Sequence, residues 1–381
     1  MKYLVVIGDG MADEPIPGGM TPLELADTPW MDRIARDGAM GMVRTIPEGC
    51  EAGSDIANLG ILGYDPRLYY TGRGPLEAAS RGISLAPSDI AYRCNLVTVT
   101  EGIMTDFSAG HISSSEGEQL FSSLEGAFRG VSFFPGVSYR NILVVHDGDG
   151  AVTFPPHDIV GRDITPYLPT GNDAAILLAS MEKSREIFIH HPVNRARIAG
   201  GMMPATQVWP WSGGKYPSLP CFRDRYGMAG GVISAVDLLS GIARCAGMEV
   251  ITVPGATGYL DTDYQAKARY AIKALERLDF VYLHVEAPDE AGHLGDADKK
   301  VAAIEGVDGM IGTIMGEFSG IIAVLPDHPT PLRLKTHTAD PVPFAILGKR
   351  KDGARFFSER EGMKGSHGTI EATEFLPLLF S

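Results

Sequence analysis

The chain has 381 residues, 44% hydrophobic, 21% charged and 8% aromatic, proportions that support a large core and exclude a disordered, fibrous or coiled-coil protein. With 33 Lys and Arg against 47 Asp and Glu the formal net charge is −14, and without a clustered basic patch such a field argues against nucleic-acid partners. Cysteines at 50, 94, 221 and 245 form neither a disulfide framework nor a C-x-x-C pair, and no apolar run reaches the ~18–20 residues of a membrane span.

In chain order, residues 3–7 are a continuous apolar run ending at Gly8-Asp9-Gly10. The run is too short and lacks the flanks of a signal peptide, so a cytoplasmic protein is expected. It fits a buried strand of a parallel sheet, with Asp9 at the carboxyl edge where ligands bind in open α/β sheets. From Thr21 to Asp37 the spacing of Leu23, Leu25, Ala26, Met31, Ile34 and Ala35 predicts a helix. Thr21 is its N-cap, Pro22 its first residue, Glu24 the capping-box partner and Gly38 its stop, with a break at Pro29. Ser54 follows Gly53 and precedes a helical pattern; at a helix start it either caps or faces an anion held by the first N–H groups.

Between about Ser88 and Arg225 the pattern changes. Strand-like pieces at Cys94–Val99, Asn141–Val145 and Ile187–His190 lie among Gly-, Pro- and Ser-rich turns, and Ser113 with Glu116 reads as a capped helix start. Asp147-Gly148-Asp149-Gly150 lacks the later carboxylate of a calcium loop and reads as a turn. This segment is expected to be an inserted α+β domain at 88–225, dividing a core made of 1–87 and 226–381. Beyond it, a strand at Asp279–Val285, a helix at Val301–Ile314 and strands at Gly320–Leu325 and Phe344–Leu347 alternate as βαβ units do. The expected fold class is therefore α/β, a mainly parallel sheet flanked by helices.

Carboxylates and imidazoles gather near these strand ends. Asp289 and His293 are four apart, so on a helix they share a face, either as an ordinary side-chain pair or as two ligands of one ion. Asp327-His328 follows the run Ile321–Leu325 on a proline-flanked turn and offers a hard oxygen and an imidazole nitrogen. His337 lies in the loop before the next strand, and His367 in a later one.

These residues and their order resemble the alkaline phosphatase superfamily and, within it, the archaeal-type cofactor-independent phosphoglycerate mutases. The resemblance spans nearly the whole chain. It rests on Val6-Ile7-Gly8-Asp9-Gly10-Met11-Ala12-Asp13, Gly53-Ser54-Asp55-Ile56-Ala57-Asn58-Leu59, Gly63-Tyr64-Asp65-Pro66 and Tyr70-Thr71-Gly72-Arg73-Gly74-Pro75-Leu76-Glu77-Ala78. It continues through Gly255-Ala256-Thr257-Gly258-Tyr259-Leu260-Asp261-Thr262 and His284-Val285-Glu286-Ala287-Pro288-Asp289-Glu290-Ala291-Gly292-His293.

The resemblance implies an alkaline-phosphatase-like core with an inserted lid, and interconversion of 2- and 3-phosphoglycerate, a glycolytic step, through a phosphoserine at Ser54. It implies two divalent cations, Mn2+ with Zn2+ or Mg2+ as alternatives. Asp289, His293 and His337 would hold one, with His367 as a further candidate ligand; Asp9, Ser54, Asp327 and His328 would hold the other. Arg140, Arg73, His157, Asn194, Arg197 and Arg225 are the candidates for binding a small phosphorylated hydroxy acid. Two alternatives share the same groups. One is a homoserine-kinase-like phosphotransferase, although no G-x-x-x-x-G-K-[ST] is present; the other is a metal-dependent phosphatase passing the phosphoryl group to water.

Overall fold

The structure is a computed structural model describing residues 1–348 and 350–381. It divides into two compact units, Met1–Tyr70 with Ser218–Ser381, and Thr71–Pro217.

The first unit is built on an eight-stranded sheet whose strands lie in the order Glu249–Val250, Gly230–Ile233, Phe280–Val285, Tyr3–Gly8, Ile321–Leu325, Val342–Leu347, Gly38–Arg44 and Thr369–Glu371. The first five run parallel. Val342–Leu347 is antiparallel to both neighbours, and Thr369–Glu371 is again parallel to Gly38–Arg44. The sheet is thus mixed. A parallel return needs a long crossover, and the chain between Leu325 and Val342 contains no helix.

Register is what places the functional residues. Ile7 lies beside His284 on one side and Leu325 on the other, and Gly8 beside Val285. Asp9 and Glu286, one residue past the Gly8–Val285 pair, and Asp327, two past Leu325, therefore leave the carboxyl edge side by side. The expected helix from Thr21 is two: Pro22–Leu25 with the full Thr21/Glu24 capping box, and Pro29–Asp37 ending at Gly38. Pro29 begins the second helix where no backbone N–H is needed. Helix Ala297–Glu317 exceeds its expected span and buries Ala303, Ile304, Val307, Met310, Ile311 and Ile314, a 3.6-residue stripe laid into the core.

The second unit carries a five-stranded antiparallel sheet. Ile90–Thr100 pairs with Arg140–Val145 and Gln207–Gly214, and Ser114–Ser122 begins with the Ser113/Glu116 capping box. Ile187–His190 is not a strand. Ile187 and Phe188 end helix Ala174–Phe188, whose buried Leu177, Ser180, Met181, Ser184 and Phe188 follow helical spacing, and Ile189 and His190 form the turn after it. The unit begins at Thr71 rather than Ser88 and ends at Pro217 rather than Arg225. Thr71 Oγ1 donates to the Lys215 carbonyl at 2.6 Å and Arg73 N to Ser212 Oγ at 3.0 Å, so helix Arg73–Ser80 is tied into this unit.

Asp308 joins the long helix to the start of Pro29–Asp37, accepting from Trp30 N at 3.0 Å and Met31 N at 2.7 Å. Burial, with Asp32 and Asp27 adding repulsion, pushes its carboxyl up to about 6 against these two amides. The native chain thus keeps a proton that an unfolded Asp releases near pH ~3.9, and this group makes stability fall as pH rises from about 4 to 6. Asp308→Asn keeps an acceptor without the charge. Urea unfolding should show the variant gaining on the wild type between pH 4 and 6 and holding that gain above 6; a constant difference across that range contradicts the assignment.

Candidate active site

Each strand end delivers its residues by a different local device. After Tyr3–Gly8 the backbone turns sharply at Gly10, whose φ is +61° and whose position leaves no room for a Cβ, since one would stand 2.5 Å from Asp289 Oδ1 and Thr330 Oγ1. Gly10 N donates to Asp327 Oδ1 at 3.1 Å. After Phe280–Val285, helix Ala287–Leu294 puts Asp289 and His293 one turn apart, with Asp289 Oδ2 3.1 Å from His293 Nε2. Ser54 is the first residue of helix Ser54–Ile61; Gly53 holds the N-cap position and no side chain caps the helix. Its hydroxyl lies 3.1 Å from His328 Nε2.

The resulting cluster is acidic and mostly buried. Asp9, Glu286, Asp289 and Asp327 are all buried, with His284 and His328 fully so. Three donor sets form: Asp289, His293 and His337; Asp9, Asp289 and His328; and Asp9, His284 and Asp327. Burial first, then Asp327 and Asp289, raise the Asp9 carboxyl well above its ordinary range. Burial works against ionisation of Asp289, yet hydrogen bonds to His293 and His337 hold it well below its ordinary range. Asp327 is likewise held low against burial by His328 and His284. His293 is pushed up to about 9, chiefly by Asp289.

This arrangement fits divalent cations. His293 Nδ1 faces the Lys335 carbonyl at 2.9 Å and His337 Nδ1 the Ala52 carbonyl at 3.4 Å. With a proton on each Nδ1, both Nε2 atoms present lone pairs, and they stand 3.0 Å apart beside the Asp289 carboxylate. One proton serves three such bases only in part, whereas a divalent cation serves all of them. Asp9 Oδ1 is buried without a hydrogen-bond partner among the described residues, a further opening for a cation.

The remaining candidates separate. His337 belongs to the cluster, but the His367 ring stacks on Phe344 at 5.7 Å and joins no donor set. In the second unit, Arg73 and Arg140 both bear on Arg93, whose guanidinium is pushed down chiefly by burial, against the pull of Glu77 and with these two arginines adding repulsion. Arg93 lies 4.3 Å over Trp211, and His157 packs on Trp211 at 5.3 Å and Phe107 at 6.1 Å. Arg140 lies over Tyr139 and His111 packs on Tyr139. Asn194 and Arg197 do not join this patch. Asn194 is saturated by the Phe188 and Ala205 backbone, and Arg197 holds Glu116 and the carbonyls of Met203 and Ala109. Arg225 lies in the first unit, over the rings of Tyr64 and Tyr226.

Sequence reasoning gave no role to several groups. Asn58, one turn after Ser54, donates to the Ser54 carbonyl and to Asp327 Oδ2, each at 2.8 Å. Thr330 Oγ1 donates to Asp289 Oδ1. His284, Glu286 and Lys267 form a buried chain behind Asp9; burial opposes the charged His284 ring, but Asp327 and Glu286 push it up to about 9. Arg93 and His111 were also passed over. A polar residue inside an otherwise apolar strand was the available signal for His284.

Together these features define a class: an α/β protein with a buried carboxylate–imidazole constellation and a half-buried serine at the carboxyl edge of its parallel strands. Residues 35–194 match the family described as 2,3-bisphosphoglycerate-independent phosphoglycerate mutase. A protein of that name from Methanothrix thermoacetophila is 51% identical over 100% of both chains, and one named as a probable member from Geobacter sulfurreducens is 51% identical over 97% of this chain and 96% of its own. Among solved structures, a Pyrococcus horikoshii protein superposes with TM-score 0.86 at 32% identity, covering 99% of this chain and 96% of its own. A cofactor-independent phosphoglycerate mutase from Thermoplasma acidophilum gives TM-score 0.70 at 27% identity, covering 99% and 98%. The chain belongs to the 2,3-bisphosphoglycerate-independent phosphoglycerate mutase family. Among the described residues no helix is long and apolar enough to cross a membrane.

Lys300 underpins the site from the long helix. Fully buried, it donates to the Asp13 carboxylate at 2.7 Å and to the Ala12 and Thr330 carbonyls at 3.2 and 2.8 Å. It thereby clamps the loop after Asp9 to the loop after Asp327. Lys300→Met strands the Asp13 charge and should cost about 3–5 kcal/mol of stability, read from urea unfolding, while adding Asp13→Leu should recover most of that loss. A Lys300→Met chain as stable as the wild type removes the clamp from the account.

Proposed function

We propose that this protein is an isomerase that interconverts 2-phosphoglycerate and 3-phosphoglycerate by way of a phosphoserine at Ser54, in an alkaline-phosphatase-like site holding two divalent cations. Carrying this reading is the position of Ser54 Oγ, at a helix N-terminus and 3.1 Å from His328 Nε2, among donor sets suited to cations. Asp289, His293 and His337 would hold one ion, and Asp9, Asp327 and His328, with Ser54, the other. Mn2+ suits these oxygen and imidazole donors, with Zn2+ or Mg2+ as alternatives. When bound, such ions lower the pKa of a hydroxyl beside them and offset charge on the phosphoryl oxygens.

The residues then divide the work. Ser54 Oγ loses its proton and attacks phosphorus; the P–O bond to the glycerate breaks, and the glycerate oxygen leaves with a proton. The other glycerate hydroxyl attacks the phosphoserine, its proton is released, and Ser54 is restored. The first N–H groups of helix Ser54–Ile61 face the anion, and Asn58 fixes that turn to Asp327. Between the two transfers the glycerate must stay and water must be kept out. We assign the 71–217 unit this substrate-holding role, in which Arg73, Arg140 and Arg93 supply charge for the carboxylate and the imidazoles of His157 and His111 supply hydrogen bonds.

Purified protein with Mn2+ and 3-phosphoglycerate, without ATP or bisphosphoglycerate, should yield 2-phosphoglycerate. Free phosphate as the main product selects the phosphatase reading, and transfer from ATP to homoserine the kinase-like one. Ser54→Ala should lower turnover by ~10^3-fold or more, the scale of losing a nucleophile, with its ion content largely kept; near-normal turnover excludes the phosphoserine.

Elemental analysis should find two tightly held ions per chain in saturating Mn2+ and one in Asp289→Asn, since Asp289 is central to the set with His293 and His337. Full activity in excess chelator would exclude a metal role.

A further inference from the structure

We infer that His284 is a further ligand of the cation held by Asp9 and Asp327. The inference deepens the two-cation reading above and rests on it. His284 is fully buried, on the penultimate position of strand Phe280–Val285 and beside Ile7 in the register. Alternation along that strand sends Val281, Leu283 and Val285 into the main core, and Tyr282 and His284 to the opposite face. Tyr282 there donates to Asn58 Oδ1, so this face is the one covered by the Ser54 helix.

The ring's Nε2 stands 3.4 Å from Asp9 Oδ2 and 3.6 Å from Asp327 Oδ2. Two donors on one small cation, at bonds of about 2.0–2.2 Å, stand about 3.0–3.5 Å apart, which is the spacing observed. Neither ring nitrogen makes a well-formed hydrogen bond among the described residues. A histidine buried only for packing would saturate one.

On its other side the ring has what ligating histidines require. Nδ1 faces Glu286 Oε1 at 3.3 Å, and Glu286 is itself immobilised. It accepts from Lys267 Nζ at 2.6 Å, Ala235 N at 2.7 Å and Ser234 Oγ at 3.0 Å. A carboxylate behind the distal nitrogen sets the tautomer that leaves Nε2 free to bind and orients the ring. Lys267 also donates to the His284 carbonyl at 2.8 Å, so backbone and side chain are held together.

A crystal structure of the unaltered chain grown with excess Mn2+, with the ions located by anomalous scattering, provides the test. Nε2 of His284 should lie within about 2.4 Å of the ion bound by Asp9 and Asp327. Equilibrium dialysis of His284→Gln with 54Mn2+ should show one of two ions bound about 10–100-fold more weakly and the other unchanged. An ion on Asp9 and Asp327 with Nε2 more than about 3 Å away, or unchanged affinity for both ions in His284→Gln, overturns the inference and leaves the two-cation reading standing. If neither donor set takes an ion, the two-cation reading itself fails. Should the variant not fold, the crystal of the unaltered chain decides alone.

Discussion

The first unit is organised by the cost of placing Asp9, Glu286, Asp289 and Asp327 together in its interior. Like charges at such separations repel by several kcal/mol even at an effective dielectric near 20, and taking each from water costs more. The chain gathers them because three parallel strands end in register, with Asp9 following Gly8, Glu286 following Val285 and Asp327 two residues beyond Leu325. Neighbouring features offset that charge: the Gly10 amide on Asp327, the Asn58 amide on the same carboxylate, and the imidazoles of His284, His293, His328 and His337.

Two kinds of compensation can be told apart. Glu286 and the nearby Asp13 each have a buried lysine at 2.6 and 2.7 Å, a permanent partner that leaves little for a ligand to gain. Asp9, Asp289 and Asp327 face one another and imidazoles, hydroxyls and amides, with no lysine in an ion pair with them among the described residues, and Asp9 Oδ1 lacks even a hydrogen bond there. Fixed ammonium groups thus sit in the supporting layer, and exchangeable compensation sits where Ser54 is.

Much of this was legible in the sequence because it is local. The apolar run before Asp9, the i,i+4 pair Asp289/His293 and the Asp327-His328 turn are each a strand or helix signal with its carboxylate or imidazole attached, and the capping boxes at Thr21 and Ser113 need only four residues. What escaped depends on long-range pairing. Ile187–His190 is apolar enough for a strand, and only the buried spacing back to Leu177 shows it to be a helix end. Asn194 and Arg197 have the chemistry of ligand-binding groups, but their donors are spent on carbonyls and a carboxylate elsewhere in the chain. His284 stood inside a matching motif, yet its orientation follows from strand alternation, and its Glu286–Lys267 support from a helix that precedes it.

The same distinction between fixed and available charge applies in the second unit. At −14 overall, the chain repels a phosphorylated carboxylate at long range, so recognition must come from a local excess of positive charge. Arg197, buried and committed to Glu116, adds nothing to that excess. Arg93 pairs with Glu77 at 3.0 Å, yet burial, with repulsion from Arg73 and Arg140 added, lowers its guanidinium. Arg93 also lies over Trp211 and Arg140 over Tyr139, so each guanidinium is held against an aromatic ring. An anion bound beside Arg73, Arg93 and Arg140 would offset their mutual repulsion.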